Sequence, residues 1–244
     1  MPPGIVAIIP ARLTSSRLPR KVLRDICGRP MLAYVYEAAQ SANIFSRVII
    51  ASDSEEVLGL CRRFGWDHRL TSQEHRSGTE RVHEVAGSVD AEIYVNIQGD
   101  EPLATPQHLT ALVAPFASSP GVQVATLKTP CPAHDIANPN AVKVVTGLRG
   151  RALYFSRSTV PYDRARLAPV RHFKHLGFYA YTRSALDLFC SLPESELERS
   201  ERLEQLRFLE NGIDIQVEET PLDTVGVDTE EDLNRVEEIL KSRR

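Results

Sequence analysis

Apolar positions recur at two different periods along the chain. Residues 5–9 are an unbroken apolar run, the pattern of a strand covered on both faces. Residues 30–42 place apolar side chains at helical spacing behind Pro30, which suits a first helical position. The pattern then predicts a strand over 47–51 and a helix over 54–64, with Ser54 as its cap and Glu55 and Glu56 at its positive end. A strand over 91–97 and a helix over 106–116 follow. This order is that of a parallel sheet wound with helices.

From residue 121 the pattern changes. Strands are predicted over 122–128, 141–145, 152–155, 174–181 and 213–218, separated by turns at Pro130, Pro132, Asn138, Pro139, Asn140 and Pro161. Residues 194–209 read as one charged, helix-periodic segment with Leu197, Leu203, Leu206 and Leu209. The expected fold class is therefore α/β, a mostly parallel central sheet with a smaller mixed β/α region. Residues 1–244 are expected to form one domain, the second half covering the crevice of the first. Trp66, Phe64, Leu186, Phe189 and Leu240 read as core or interface, and 241–244 as a solvated tail.

Composition narrows the function more than the fold. At 244 residues, with 42% hydrophobic and 25% charged positions, the chain can bury a substantial core. A net charge of -3 provides no global field for nucleic acid or an anionic membrane. No run of roughly 18 apolar residues spans a membrane, and the expected location is cytoplasmic. Cys27, Cys61, Cys131 and Cys190 are scattered without metal-ligand spacing, so they read as reduced thiols.

The chemistry begins where the first strand ends. Arg12, Arg17, Arg20 and Lys21 follow it directly, with hydroxyls at Thr14, Ser15 and Ser16. The carboxyl ends of parallel strands border the ligand crevice of an open α/β sheet, and cations held there suit a polyphosphate. Asp100 and Asp228 each end an apolar stretch, and two carboxylates meeting there would hold Mg²⁺. The blander role for Asp228 is to cap a helix starting near Thr229, with Glu230, Glu231 and Asp232 in its first turn. Ser77, Gly78, Thr79 and Arg81 open another helix, where amide donors favour an anion or a polar base edge; capping alone would also account for them. The chain has no dinucleotide glycine fingerprint, Walker loop or nucleophile elbow.

Eight short strings stand in one order. They are Ile9, Pro10, Ala11, Arg12, Ser15, Arg17, Leu18, Pro19 and Lys21; His75 with residues 77–81; residues 96–102; 138–143; 154–157; 175–179; 203–207; and 226–233. In this the chain resembles the 3-deoxy-manno-octulosonate cytidylyltransferases over nearly its whole length. Arg20 stands where the family usually has glycine, and Tyr162 where tryptophan is common.

The resemblance implies a Rossmann-like nucleotidyltransferase fold that transfers CMP from CTP to the anomeric hydroxyl of 3-deoxy-D-manno-octulosonate (Kdo). Pyrophosphate is released, and the sugar is activated for lipopolysaccharide biosynthesis. Residues 1–120 would mainly bind CTP; residues 121–244 would mainly bind sugar and dimerise. Arg12, Lys21, Asp100 and Asp228 would be catalytic, the two aspartates holding Mg²⁺. Pro10, Ala11, Arg12, Arg17, Lys21, Ser77, Gly78, Thr79, Arg81 and Gln98 would bind the nucleotide. Gln98, Arg157, Arg164, His175, Tyr179, Glu204 and Gln205 would bind the sugar acid, with no general base assigned. The partners implied are the two small substrates and a second copy of the chain as a homodimer, with no nucleic acid and no membrane. A related acid such as 8-amino-Kdo is the alternative substrate. A nucleotide-sugar binding protein without turnover and an RNA-binding module are the readings from other classes.

Overall fold

A computed structural model describes residues 4–13, 17–165 and 170–242, so the expectations placed on Thr14, Ser15 and Ser16 lie outside the described residues. The chain divides into two compact units, residues 1–110 with 224–244, and residues 111–223.

The first unit opens with β1, Ile5–Pro10, whose Val6, Ala7, Ile8 and Ile9 are buried. A small hairpin, β2 Asp25–Ile26 and β3 Arg29–Pro30, leads to helix α1, Met31–Ser41. Pro30 sits at the cap of α1 rather than at its first helical position. Then come β4 Phe45–Ser52, α2 Glu55–Phe64, β5 His68–Leu70, α3 Gly78–Ala86 and β6 Ile93–Asn96. β1 pairs in parallel with both β4 and β6, and β4 in parallel with β5. Because all four strands run the same way, their carboxyl ends share one edge, and the loops leaving that edge are placed to build a site.

The helices lie on this sheet for ordinary reasons. α1 buries Met31, Leu32, Val35 and Tyr36, and α3 buries Val82, Val85 and Ala86; a fully buried large aliphatic side chain contributes about 1.5–3 kcal/mol. Gly65 closes α2 in the left-handed region, φ 70°, where glycine carries no Cβ penalty. Ser54 precedes α2 with an extended backbone but its hydroxyl makes no capping bond, contrary to the sequence expectation; its amide is held instead by the Ser52 hydroxyl at 3.2 Å. The division between the units falls within α4, Pro106–Ser118.

The second unit contains β7 Val124–Pro130, β8 Lys143–Thr146, β9 Ala152–Ser156, β10 Phe173–Thr182, α5 Arg183–Ser191, α6 Glu196–Glu201, α7 Leu206–Glu210 and β11 Ile215–Glu219. β7 runs antiparallel to β10 and parallel to β11, while β8 and β9 form an antiparallel pair joined to β10 through Lys143 and Lys174. The predicted helix over 194–209 is broken in two. Arg202 adopts φ 54° at the end of α6, which turns the chain, and Leu203 and Leu206 are buried while Leu197 stays exposed.

Residues 224–242 return to the first unit and end in α8, Glu230–Ser242. Its Leu233 and Val236 close an apolar cluster with Leu18, Ile26, Met31, Leu103 and Val227. Among the described residues, no helix is long and apolar enough to cross a membrane.

Candidate active site

A cavity of about 330 Å³ in the first unit is lined by Pro10, Arg12, Arg17, Lys21, Ser77, Gly78, Gln98 and Asp100, among others. Its floor is the edge where β1 and β6 end. Gly99 is required there: its amide donates to the Pro10 carbonyl at 3.2 Å, and a Cβ added to it would lie 2.8 Å from that oxygen. The backbones of the two strand ends can therefore meet, and Asp100 follows directly.

Asp228 reaches the same place from the other end of the chain. The Val227 amide donates to the Asp100 carbonyl at 2.9 Å, which docks the two segments. Asp228 does not cap α8. Thr229 Oγ1 accepts from the Asp232 amide, and Asp232 accepts in turn from the amides of Thr229 and Asp228. The Asp228 carboxylate is thereby left to the cleft.

Both carboxylates converge on one ammonium. Lys21 Nζ donates to Asp100 Oδ2 at 2.5 Å and to Asp228 Oδ1 at 2.8 Å, and Arg17 donates to Asp228 Oδ2 at 2.9 Å. Burial pulls the Lys21 pKa down, but Asp100 and then Asp228 outweigh it, and the result is raised above the ordinary lysine value. For Asp228, burial raises the pKa, and Lys21 and Arg17 more than reverse this, leaving it below the usual aspartate range. Lys21 and Asp228 thus each favour the charged form of the other, with Arg17 and Asp100 bonded to the same pair.

Arg12 braces the opposite wall. Its guanidinium donates to the carbonyls of His75, Arg76 and Ser77, the last at 3.1 Å. Ser77 caps α3 by accepting from the Glu80 amide at 3.2 Å, and a Cβ on Gly78 would come within 3.0 Å of Gln98 Nε2. Gln98 itself donates to Asn96 at 3.0 Å. Ala11 is fully buried behind the loop. Thr79 and Arg81 do not line the cavity; both are fully buried, and Arg81 donates to Thr71 and to Asp53. The sequence reading put Arg81 against the nucleotide; the structure places its side chain behind this wall, held by Thr71 and Asp53. Arg76, which also lines the cavity, went unread because it lies between the residues that carry the motif, His75 and Ser77.

The sugar candidates other than Gln98 lie in the second unit. The Arg157 guanidinium is taken up by the carbonyls of Glu201, Pro139 and Arg202, with Nε on Glu201 at 2.7 Å. Arg164 is exposed. His175 Nε2 meets Thr126 Oγ1 at 2.9 Å, its ring lies edge-on to Phe155, and burial takes its pKa down to about 3. Such a group is neutral near pH 7 and too weakly basic to serve well as a proton acceptor, so the structure gives no support to His175 as the missing base. Burial raises the Tyr179 phenol well above its ordinary pKa. Gln205 is buried with Nε2 lacking a hydrogen-bond partner among the described residues. Tyr162, at the position where tryptophan is common, is exposed.

Comparisons with known proteins identify the family and the fold. The cytidylyltransferase family profile matches residues 6–215. A 3-deoxy-manno-octulosonate cytidylyltransferase of Koribacter versatilis is 65% identical over 98% of this chain and 90% of its own, and that of Acidobacterium capsulatum is 58% identical over 99% and 98%. A solved CMP:2-keto-3-deoxy-manno-octonic acid synthetase, complexed with CTP, is 42% identical with a TM-score of 0.94 over 99% of this chain and 100% of that one. With the fold and these relatives in agreement, the chain belongs to the cytidylyltransferases, and within them to the 3-deoxy-manno-octulosonate cytidylyltransferase family.

Proposed function

We propose that the protein transfers CMP from CTP to the anomeric hydroxyl of Kdo, forming CMP-Kdo and pyrophosphate and so activating the sugar for lipopolysaccharide biosynthesis. The observation that carries this reading is Lys21 shared between Asp100 and Asp228 at the shared carboxyl-end edge of β1 and β6. The sugar named for the relatives favours Kdo over its 8-amino analogue.

Transfer needs no covalent enzyme intermediate. The sugar hydroxyl attacks the α-phosphorus in line and loses its proton to solvent, the bond to the bridging oxygen breaks, and pyrophosphate departs with that electron pair. Negative charge accumulates on non-bridging and leaving oxygens, so fixed cations are the groups that matter. Arg17 and Lys21 exchange carboxylate partners for phosphate oxygens, while Arg12 holds the 75–77 backbone against the nucleotide. Pro10, Ala11, Ser77, Gly78 and Gln98 shape the base and ribose end, with Thr79 and Arg81 supporting that wall.

The donor set fits magnesium. Mg²⁺ is held in such sites by one or two carboxylates together with substrate phosphates and water; Asp100 and Asp228 converge on Lys21, and no cluster of three potential ligands occurs among the described residues. When bound, it would supply charge neutralisation at the phosphate oxygens. The first unit is then the CTP-binding part, and the second carries the sugar acid on Arg157, Arg164, His175, Tyr179, Glu204 and Gln205 as well as the homodimer surface. A cytoplasmic location follows from both substrates being small polar metabolites.

Pyrophosphate release measured with CTP, Mg²⁺ and Kdo tests the reading, with UTP, 8-amino-Kdo and a mixture lacking sugar as comparators. Release is expected with CTP and Kdo above every comparator. No release above the sugar-free background would overturn it.

A further inference from the structure

We infer that Asp53 is a positioning residue for the nucleotide site, acting through the buried guanidinium of Arg81; the inference rests on the cleft being a CTP site. Asp53 immediately follows β4 and lies outside the cavity. Arg81 Nη2 donates to its Oδ2 at 2.9 Å, and Arg81 Nη1 donates to the hydroxyl of Thr71. The Arg81 side chain has no solvent exposure, and that of Asp53 is 16% exposed.

The pair closes a ring of bonds around the two loops that form the nucleotide walls. On one side, Ser52 Oγ donates to the Ala11 carbonyl at 2.6 Å, and the Ala11 amide donates to Ala51 at 2.9 Å, so the end of β4 fixes the loop that carries Arg12. The Thr71 amide donates to the Ser52 carbonyl at 2.9 Å, which ties in the segment leading to residues 75–77. On the other side, Arg12 donates to the carbonyls of those residues. Arg81 lies in the first turns of α3, whose cap Ser77 and first residue Gly78 line the cavity.

A buried guanidinium that loses its carboxylate either draws in water or moves, because an uncompensated buried charge is costly. Any movement of Arg81 carries the start of α3 with it, and so displaces Ser77 and Gly78 from the Arg12 loop. Small misplacements of binding groups have large consequences for a rigid ligand. The effect falls on the nucleotide, because both loops in the ring border its cavity.

The test uses the full chain with Asp53→Asn, which keeps an acceptor and removes the charge, and Thr71→Val, which keeps the volume and removes the hydroxyl. Calorimetric titration with CTP in the absence of sugar is expected to give a Kd roughly tenfold weaker for Asp53→Asn and about threefold weaker for Thr71→Val. In turnover, KM for CTP rises by similar factors, while kcat at saturating CTP and KM for Kdo stay within about twofold. An unchanged CTP Kd in folded Asp53→Asn overturns the inference, and so do KM values for both substrates rising together. If circular dichroism shows Asp53→Asn unfolded, Thr71→Val decides by the same readings; loss of folding in both would mark the ring as purely architectural and also overturn it. Wild-type protein that binds CTP without turnover would sink the activity and leave this inference standing, whereas failure to bind CTP would remove both.

Discussion

The two units hold their chemistry-bearing side chains in opposite ways. In the first, Lys21, Arg17, Asp100 and Asp228 are charged and face one another, each offset by a neighbour of opposite sign. In the second, the candidates are directed by neutral groups: Arg157 by backbone carbonyls, His175 by the Thr126 hydroxyl and Phe155, and Gln205 by burial. The contrast follows from the ligands proposed for them. A triphosphate is bound by charge that can exchange partners, and a carbohydrate by fixed donors and acceptors of neutral or backbone origin.

Removing charge without volume attacks the first arrangement most directly. Asp100→Asn preserves shape and a bond to Lys21, and the backbone bond from Val227 to the Asp100 carbonyl is untouched. Turnover is expected to fall by about 10²–10³-fold, the usual cost of one electrostatic group in such a site. The melting temperature should move by no more than a few degrees. Near-normal turnover at ordinary Mg²⁺ would end the assignment of Asp100.

Acid separates the units without mutating the first. The folded pKa of His175, about 3, lies below its ordinary 6.5, so the unfolded chain binds the extra proton first. The stability from burying it neutral is complete above pH 6.5 and is lost as pH falls from there toward 3. At up to about 1.4 kcal/mol per pH unit, lowering the pH from 7.5 to 5 costs about 2 kcal/mol. The cleft behaves differently. Asp228 is depressed from 3.8, so its contribution is lost only as pH falls below that value; Lys21 is raised from 10.5, so its contribution is lost only as pH rises above it. Denaturant titrations at pH 7.5 and 5 on wild type and His175→Asn should show most of this loss only in wild type. An equal loss in both proteins would mean His175 is not held neutral.

The same contrast governs how much could be read from residues alone. β1 and the cations beyond it were legible because a continuous apolar run ending in arginines fits little besides a buried strand feeding a binding loop, and the alternation of strands and helices in the first unit followed from period alone. That Asp228 joins Asp100 was legible only as one of two readings. Its competing role as a helix cap could be removed only by finding Thr229 and Asp232 already performing it. The break at Arg202 was hidden because residues 194–209 keep helical spacing across it, and a left-handed arginine leaves no compositional trace. The buried position of Arg81 was hidden for a related reason: a motif gives order along the chain but not which face of α3 a side chain occupies. Asp53 and Thr71 had no local pattern at all, since their importance comes only from the guanidinium they hold.

The smallest expected effect concerns the backbone of the phosphate loop. Arg20 sits at φ 55°, ψ 30°, just before the short turn Lys21–Leu23, and its side chain pairs on the surface with Glu56. The left-handed region costs a non-glycine residue roughly 1 kcal/mol, and glycine is the residue that would occupy it without that cost. Arg20→Gly relieves that strain but loosens the unfolded chain by a comparable amount, and the exposed ion pair it removes is worth little. Stability is therefore expected to change by less than about 1 kcal/mol, and CTP binding should be retained because Arg17 and Lys21 remain on the carboxylates. A tenfold loss of CTP affinity in Arg20→Gly would show instead that Arg20 itself meets the phosphates, adding a third cation to the phosphate-binding set and sharpening the distinction between the charged cleft and the second unit, where neutral groups hold the candidates.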